Sequence, residues 1–413
     1  MNSISSSAKV QPEKRASRKA DEVLAWLLAC NFALAILTLW IQAFWPVALF
    51  EIGSFAIAFA VLLSSGKKPH RLSACFPLFV LGWVILWGCL QLIAGWSAVR
   101  FETINSIWKW LCWFAVYYSG MSIFTNGRIL ERFRLGMVWF GFAVALEAIL
   151  QAFLSPDKIF GIFPAAYQLY VMGPILYHTH FAVFVEAILP ASLVFAFTKA
   201  KDFYVFLGIS AVLLTAMVVS ASRGGLVIAF IEVAAVFLLL RPWKKNQVKR
   251  AGTIMLAFAG IILVLLLIVG LNTITERFRT EAMVPGRLQF ALSSLAMVKA
   301  RPFTGFGLGC WPAVYPAFAT FDPGAFVNQA HSDWLQWIAE GGIPTGIAMV
   351  ALFVWFIRPA WKSIWAIGGI AIFVHAAFDY PFSRPAIGAL PFLVLAMAVA
   401  CVEEWDAKQR RSA

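Results

Sequence analysis

The sequence predicts an all-α, polytopic integral membrane protein of about twelve transmembrane helices, with a long external loop that contains an amphipathic helix. Three observations carry this. Hydrophobic residues make up 62% of the chain, against roughly 45–50% in soluble domains. Charged residues make up only 13%, too few to cover a water-soluble surface, and mean hydropathy is +0.82. Disorder needs the opposite bias. The 33 Lys+Arg against 20 Asp+Glu give a formal charge of +13. In a soluble protein that excess would point to nucleic acid; here it fits cytoplasmic loops facing anionic membrane lipids, and no nucleic-acid partner is expected.

The elements follow in order. Residues 1–22 are polar and basic, with Lys9, Lys14, Arg15, Arg18 and Lys19, and read as a cytoplasmic tail. The apolar run 23–44 has no small-residue cleavage site and is too long for a signal-peptide core, so it reads as an uncleaved first span. Further spans are expected at 46–63, 76–95, 107–124, 135–154, 175–198, 203–220, 225–240 and 252–271. Residues 23–271 thus hold about nine N-terminal helices. The segment 272–342 is a 71-residue loop, far beyond the roughly 2–8 residues that usually join helices in bundles. About three C-terminal spans follow within 343–402, at 343–357, 363–380 and 386–402, before a tail at 403–413. With the N-terminus cytoplasmic, the inside segments collect 23 of the 33 Lys+Arg, as the positive-inside rule requires. Both termini are then cytoplasmic and 272–342 is external. Within that loop Leu288, Leu292, Leu295 and Ala296 recur at helical spacing between Arg287 and Lys299, which predicts an amphipathic helix at the membrane–water interface.

Six cysteines (30, 75, 89, 112, 310 and 401) form no CxxC pair and no zinc spacing, so neither a disulfide framework nor a metal site is expected. Gly305-Phe306-Gly307-Leu308-Gly309 is glycine-rich but follows no strand and has no P-loop lysine, which excludes a nucleotide cradle.

The residues that carry chemistry lie toward the external face. Arg223 separates two apolar runs in Ser220-Ala221-Ser222-Arg223-Gly224-Gly225. It either snorkels to head groups or, with those serines, grips a phosphate oxygen through paired donors. Arg277, Arg279, Arg287, Lys299 and Arg301 concentrate positive charge where the rule predicts scarcity, and suit either an anionic ligand or lipid phosphate. Arg287 ranks first, since Pro285-Gly286 marks a helix start whose free N–H groups favour anions. His331, a lone histidine, is either structural or, because it opens a helix beside a glycine-rich segment, a proton acceptor. His178 and His180 point apart on a helix, which disfavours joint metal binding. Glu147, Glu186 and Glu232 fall in or near spans, where a carboxylate is either functional or neutral and hydrogen-bonded. His375 and Asp379 share one helical face if the helix continues, with a packing hydrogen bond as the simplest reading.

Several segments together resemble the O-antigen ligase/polymerase family of bacterial surface-polysaccharide assembly. They are Gly173-Pro174 through Thr179-His180-Phe181-Ala182 with Glu186 and Pro190; Ser222-Arg223-Gly224-Gly225; Arg301-Pro302 through Gly309; Ala330-His331-Ser332-Asp333 through Glu340-Gly341-Gly342-Ile343-Pro344; and His375 through Asp379-Tyr380-Pro381. They occur in the family's order over about residues 170–385. The resemblance implies an inverting glycosyltransferase of the bacterial inner membrane, with its site facing the periplasm. The donor would be an undecaprenyl-pyrophosphate-linked glycan, and the acceptor a hydroxyl of a glycan or of lipid A–core. By the same similarity, Arg223 and Arg287 would contact the donor pyrophosphate and His331 would sit near the acceptor hydroxyl; the external charge cluster adds Arg301 to the donor contacts, and His331 is taken as the catalytic base. His180, Glu186, Asp333 and Asp379 would serve either the substrate or the packing. Thr179 stands where the family often has Asn.

The chemistry agrees with this reading. A lipid pyrophosphate is a good leaving group that needs cationic stabilisation, and the acceptor hydroxyl needs a base near neutral pH. Neither metal nor cofactor is required. The rival is a lipid-linked oligosaccharide flippase, but such a transporter should place its charges at mid-bilayer on broken helices.

Overall fold

The computed structural model describes every residue except 1–4, 65–73, 166–170, 241–247, 257, 261–285, 322, 323, 325 and 413. Arg277, Arg279 and most of the expected span 252–271 lie outside the described residues. The helices are α1 (Ser5–Leu37), α2 (Phe44–Leu63), α3 (Phe76–Ile93), α4 (Arg100–Ile123), α5 (Gly127–Leu154), α6 (His178–Glu186), α7 (Leu189–Thr198), α8 (Phe203–Val219), α9 (Arg223–Leu240), α10 (Gly286–Ala300), α11 (Trp311–Val314), α12 (Asp333–Lys362), α13 (Ile367–His375) and α14 (Pro385–Ser412). The only strands among the described residues are two-residue pieces at Lys158–Ile159 and Phe163–Pro164, paired antiparallel.

Nine segments among the described residues are long and apolar enough to cross a membrane, so the chain is a multi-pass, all-α membrane protein. Two further helices where the sequence predicts spans fall short of that measure. The first half of α4 carries Arg100, Glu102 and Lys109, and α13 is only nine residues long.

Burial separates the centre of the bundle from its lipid-facing ring. The spans 178–198 and 385–402 are 94% and 89% buried, against 28–44% for the others. The central pair therefore carries the residues whose positions are fixed by packing on all sides. Helix α4 packs against α2, α3 and α14. Local chemistry sets the helix starts: proline opens α3 and α7, where a missing N–H costs nothing. Asn126 caps α5 by accepting from Arg128 N at 3.0 Å. The central span breaks between α6 and α7 at Ala187–Ile188. There Gly368 of the shorter α13 approaches so closely that a Cβ would lie 2.6 Å from the Glu186 carbonyl.

Helix α12 is two helices joined at Gly342, whose φ of 73° no β-carbon tolerates well. Around that break the protein is pinned together. Trp87 Nε1 donates to Gly341 O at 2.8 Å, and Gln91 Nε2 donates to Glu340 O at 2.9 Å and Thr304 O at 2.7 Å. The backbone N–H of Ile343 donates to Pro302 O at 2.7 Å. The glycine-rich run 305–309 is folded onto the same break: Glu340 Oε2 accepts from Gly309 N at 2.8 Å, and Oε1 from Trp311 N at 3.3 Å and Gln336 Nε2 at 3.0 Å.

Helix α10 exposes Leu288, Leu292 and Leu295 in a stripe and buries Phe290, Ser293, Ser294 and Met297 on the opposite side. Trp311 Nε1 donates to Ser294 Oγ at 2.9 Å and locks the buried face. That grip sets Arg287 and Phe290, at the start of α10, beside the start of α12.

Candidate functional site

His331 immediately precedes Ser332, the N-cap of α12, whose hydroxyl accepts from Leu335 N at 3.4 Å. Its backbone is left-handed, with φ 53°, an orientation uncommon for a residue with a β-carbon. The imidazole stacks on Phe290 (centroids 5.5 Å, 18° between planes) and stands perpendicular to Tyr380 (4.9 Å, 88°). Nδ1 is buried with no hydrogen-bond partner among the described residues. Burial lowers the His331 pKa below its ordinary value; Asp379 pulls it up and Arg287 pushes it down. The ring is therefore neutral at pH 7 and able to accept a proton.

The segment after α13 supplies the second half of the cluster. Asp379 is buried, and its Oδ1 accepts from Tyr380 N at 2.8 Å. Arg287 Nη2 lies 3.9 Å from Asp379 Oδ2, while Nη1 donates to the Phe378 carbonyl at 3.4 Å. Burial works to raise the Asp379 pKa, but His375, His180 and Arg287 outweigh it and hold it below the ordinary value. Asp333 fixes this segment in place. Its Oδ2 accepts from Phe382 N at 2.9 Å, and its own N–H is shared by the carbonyls of Ala376 (2.9 Å) and Asp379 (3.1 Å).

The start of α9, which carries Arg223, packs against the same segment. Arg223 is exposed at that helix's N-terminus, and Gly224 beside it lies against the Phe378 ring so closely that any side chain would displace it. The ring packs against Gly224 while the same residue's carbonyl holds Arg287, so one residue links the start of α9 to Arg287. The serines expected to help Arg223 are spent locally. Ser220 Oγ donates to Met217 O at 2.7 Å, and Ser222 Oγ accepts from Gly225 N at 3.2 Å, both buried in the turn between α8 and α9. Helix capping has taken the hydroxyls that the sequence offered to phosphate.

The histidines near α6 go separate ways. His178 Nδ1 donates to Ser220 O at 3.0 Å, bracing the Arg223 turn, and His180 Nε2 donates to Tyr380 O at 3.2 Å. His375 does not pair with Asp379 through side chains as four-residue spacing suggests. Helix α13 ends at His375, and Nδ1 instead meets Glu186 Oε1 at 2.7 Å, both side chains fully buried. Arg301 is not brought to the cluster. It follows the far end of α10, 14 residues or about 21 Å of helical rise from Arg287, donating to Trp96 O at 3.2 Å with its guanidinium 4.6 Å from the Phe306 ring centre.

Sequence reasoning missed the aromatic frame of Phe290, Phe378, Tyr177 and Tyr380. It also missed a cavity of about 220 Å³ lined by Gln42, Tyr177, His180, Gln329, Tyr380 and Arg384 among others. Among the described residues no group of three or more His, Cys, Asp or Glu side chains is placed to hold a metal ion.

Residues 208–350 match the model of the family described as O-Antigen ligase. The match takes in Arg223, Arg287, Arg301, His331, Asp333 and Glu340, and stops short of His180 and Glu186 on one side and Asp379 on the other. No curated protein matches the chain. Residues 208–350, about a third of the chain, are thus similar to the O-antigen ligase family, whose activity is lipid-linked glycan transfer of the ligase or polymerase type, and they are set within a multi-pass membrane protein.

Proposed function

We propose that the chain is an inverting glycosyltransferase. It moves a glycan from an undecaprenyl-pyrophosphate-linked donor to a hydroxyl of a glycan or lipid A–core acceptor, at the periplasmic face of a bacterial inner membrane. One observation supports the reading: His331 and Arg287 both meet the segment Phe378, Asp379 and Tyr380, and Gly224, the residue after Arg223, packs against the Phe378 ring. The acceptor oxygen attacks the anomeric carbon as the carbon–oxygen bond to the diphosphate breaks. The bonding pair leaves on the diphosphate, and the hydroxyl proton passes to neutral His331. Arg223 and Arg287 stabilise the negative charge on the departing group, which supplies the cation that the chemistry needs. Arg287 is suited to this because its contacts to Phe378 and Asp379 are long and its side chain is half exposed, so a diphosphate can exchange for them. Arg301 has no part in donor binding on this reading.

The full architecture proposed has about twelve spans, both termini cytoplasmic and 272–342 external, with the leucine stripe of α10 resting on the outer lipid surface. The donor arrives already activated, so neither nucleotide nor divalent metal is needed. Incubating the purified chain with lipid-linked glycan and acceptors, with chelator and without nucleotide, tests the reading. Glycosylated acceptor with inverted anomeric configuration is the expected product. Transport of the lipid across a vesicle without any transfer would overturn it.

A further inference from the structure

Tyr380 has two sides. His331 meets its ring at 4.9 Å and perpendicular, while His180 meets it at 5.1 Å, also perpendicular, and Tyr177 stacks on it at 5.3 Å and 24°. Tyr177, His180 and Tyr380 all line the 220 Å³ cavity, and His331 does not. Tyr380 is therefore a wall one ring thick between the base and the cavity. The cavity is far larger than the roughly 10–15 Å³ that one water needs.

Its chemistry is specific. The Tyr177–Tyr380 stack offers an aromatic wall to the C–H face of a sugar ring. Asn328 and Gln42 offer side-chain amides with no hydrogen bond to described residues, and two buried acceptors, Gln329 Oε1 and Ser383 Oγ, are unspent. Among the described residues one cation, Arg384, lines the cavity, and no carboxylate does. Arg287, the cation assigned to the diphosphate, lies by Phe378 and Asp379 and is not part of this lining. Arg384 in the cavity lining and Arg287 at the segment after α13 are thus two separate cations.

We propose that this cavity is the acceptor-sugar subsite, and that Arg384 makes it select a sugar bearing an anionic group, a carboxylate or a phosphate monoester. The proposal rests on the glycan-transfer reading for its direction: the sugar sits behind Tyr380 and presents a neighbouring hydroxyl to His331. Hydroxyls of the ring pair with the amides of Asn328 and Gln42, and Arg384 meets the anion with paired donors.

The test uses the full chain in lipid nanodiscs and three probes: a glucose-terminated disaccharide, its glucuronic-acid analogue and its 6-phosphate analogue. At least one charged probe should bind about ten- to a hundred-fold more tightly than the neutral one, the usual worth of a charge-assisted hydrogen bond. The two charged arms identify which anion the site takes. Arg384→Gln should bring the charged probe to the neutral level while the neutral probe is unchanged, and Arg384→Lys should restore part of the preference. Asn328→Asp, in an exposed position, should repel the charged probes alone. In transfer assays the Arg384→Gln effect should fall on acceptor KM and leave saturated kcat intact. Equal affinity for neutral and charged probes in the unmodified chain, or a preference that survives Arg384→Gln, overturns the subsite. Binding of undecaprenyl diphosphate is measured in parallel. A charged-sugar preference without donor binding sinks the transfer reading and leaves the subsite standing; donor transfer without preference does the reverse.

Discussion

Arg287 reaches Asp379 with one nitrogen at 3.9 Å and the Phe378 carbonyl with the other at 3.4 Å, so a half-exposed cation is tethered loosely over a buried carboxylate. Both contacts are long for charge-assisted bonds, which typically close to about 2.7–2.9 Å. The side chain is therefore placed but not satisfied. Arg287→Ala should weaken undecaprenyl diphosphate binding by about ten- to a hundred-fold, the equivalent of about 1.5–3 kcal/mol. Arg287→Lys should recover only part, because an ammonium lacks the paired donors. Titration of the lipid into nanodisc-bound protein measures both; unchanged affinity in Arg287→Ala removes it from the donor site.

Gly224 gives a test that leaves every charge in place. A side chain there must push away the Phe378 ring, whose backbone holds Arg287. Gly224→Val should lower donor affinity by about ten-fold, although valine adds and removes no charge; a displacement of the order of 1 Å at a reacting group is that costly. Arg223→Ala should weaken the donor similarly through lost cationic contact. If Gly224→Val binds donor normally, the two arginines act independently of the Phe378 link.

His331 should control turnover without controlling donor affinity. His331→Ala is expected to lower single-turnover rate by about 10²–10⁴-fold, the usual contribution of a general base. The pH dependence has a definite sign. Burial holds the His331 pKa below the ordinary histidine value, so the base is free at neutral pH and activity falls only as pH drops through that lowered pKa. Arg287 pushes this pKa down and Asp379 pulls it up. The acid limb of the rate profile should accordingly move to higher pH in Arg287→Ala and to lower pH in Asp379→Asn. Profiles of kcat against pH for the three proteins decide it, and limbs that stay in place would show that another group titrates.

The Glu186–His375 contact should be structural. Both side chains are fully buried, 2.7 Å apart, on spans from different parts of the chain. Removing one partner strands the other in a medium that cannot solvate it, at a cost of about 3–5 kcal/mol. Glu186→Ala and His375→Ala should each lower the thermal unfolding midpoint in detergent, and the double variant should lose less than the sum. Strict additivity would mean that the two groups do not interact.

The fold was legible because crossing a membrane demands long apolar runs, and such runs are visible without knowing what they touch. The charged first half of α4 blurred that signal, and the short α13 shows how a helix buried among others can dispense with full length. At the site, Arg223, Arg287 and His331 were legible because a charged or titratable group near a membrane is costly and stands out. Tyr177, Asn328 and Gln329 were not, since neutral tyrosines and amides in loops carry no such cost. Arg384 stands in no motif and is one of the ten Lys+Arg outside the cytoplasmic segments. Glu186 and His375, 189 residues apart, meet through packing alone, and the end of α13 cancelled the helical spacing that suggested a different partner for the histidine.

The left-handed backbone at His331 sets the needs of folding against those of chemistry. Of the three non-glycine residues with positive φ among the described residues, His331 and Ala221 flank the proposed donor site, Ala221 two positions before Arg223. A β-carbon in that region costs about 1–3 kcal/mol, which glycine would not incur. At position 331 the most comfortable residue for the backbone is thus the one that cannot take a proton. His331→Gly is the natural escape for a destabilised chain: relaxed in conformation, inert in transfer, and open at the place the imidazole filled. Free imidazole added to that variant should restore part of its turnover, while alanine at the same position, strained and equally inert, has no such backbone relief to offer.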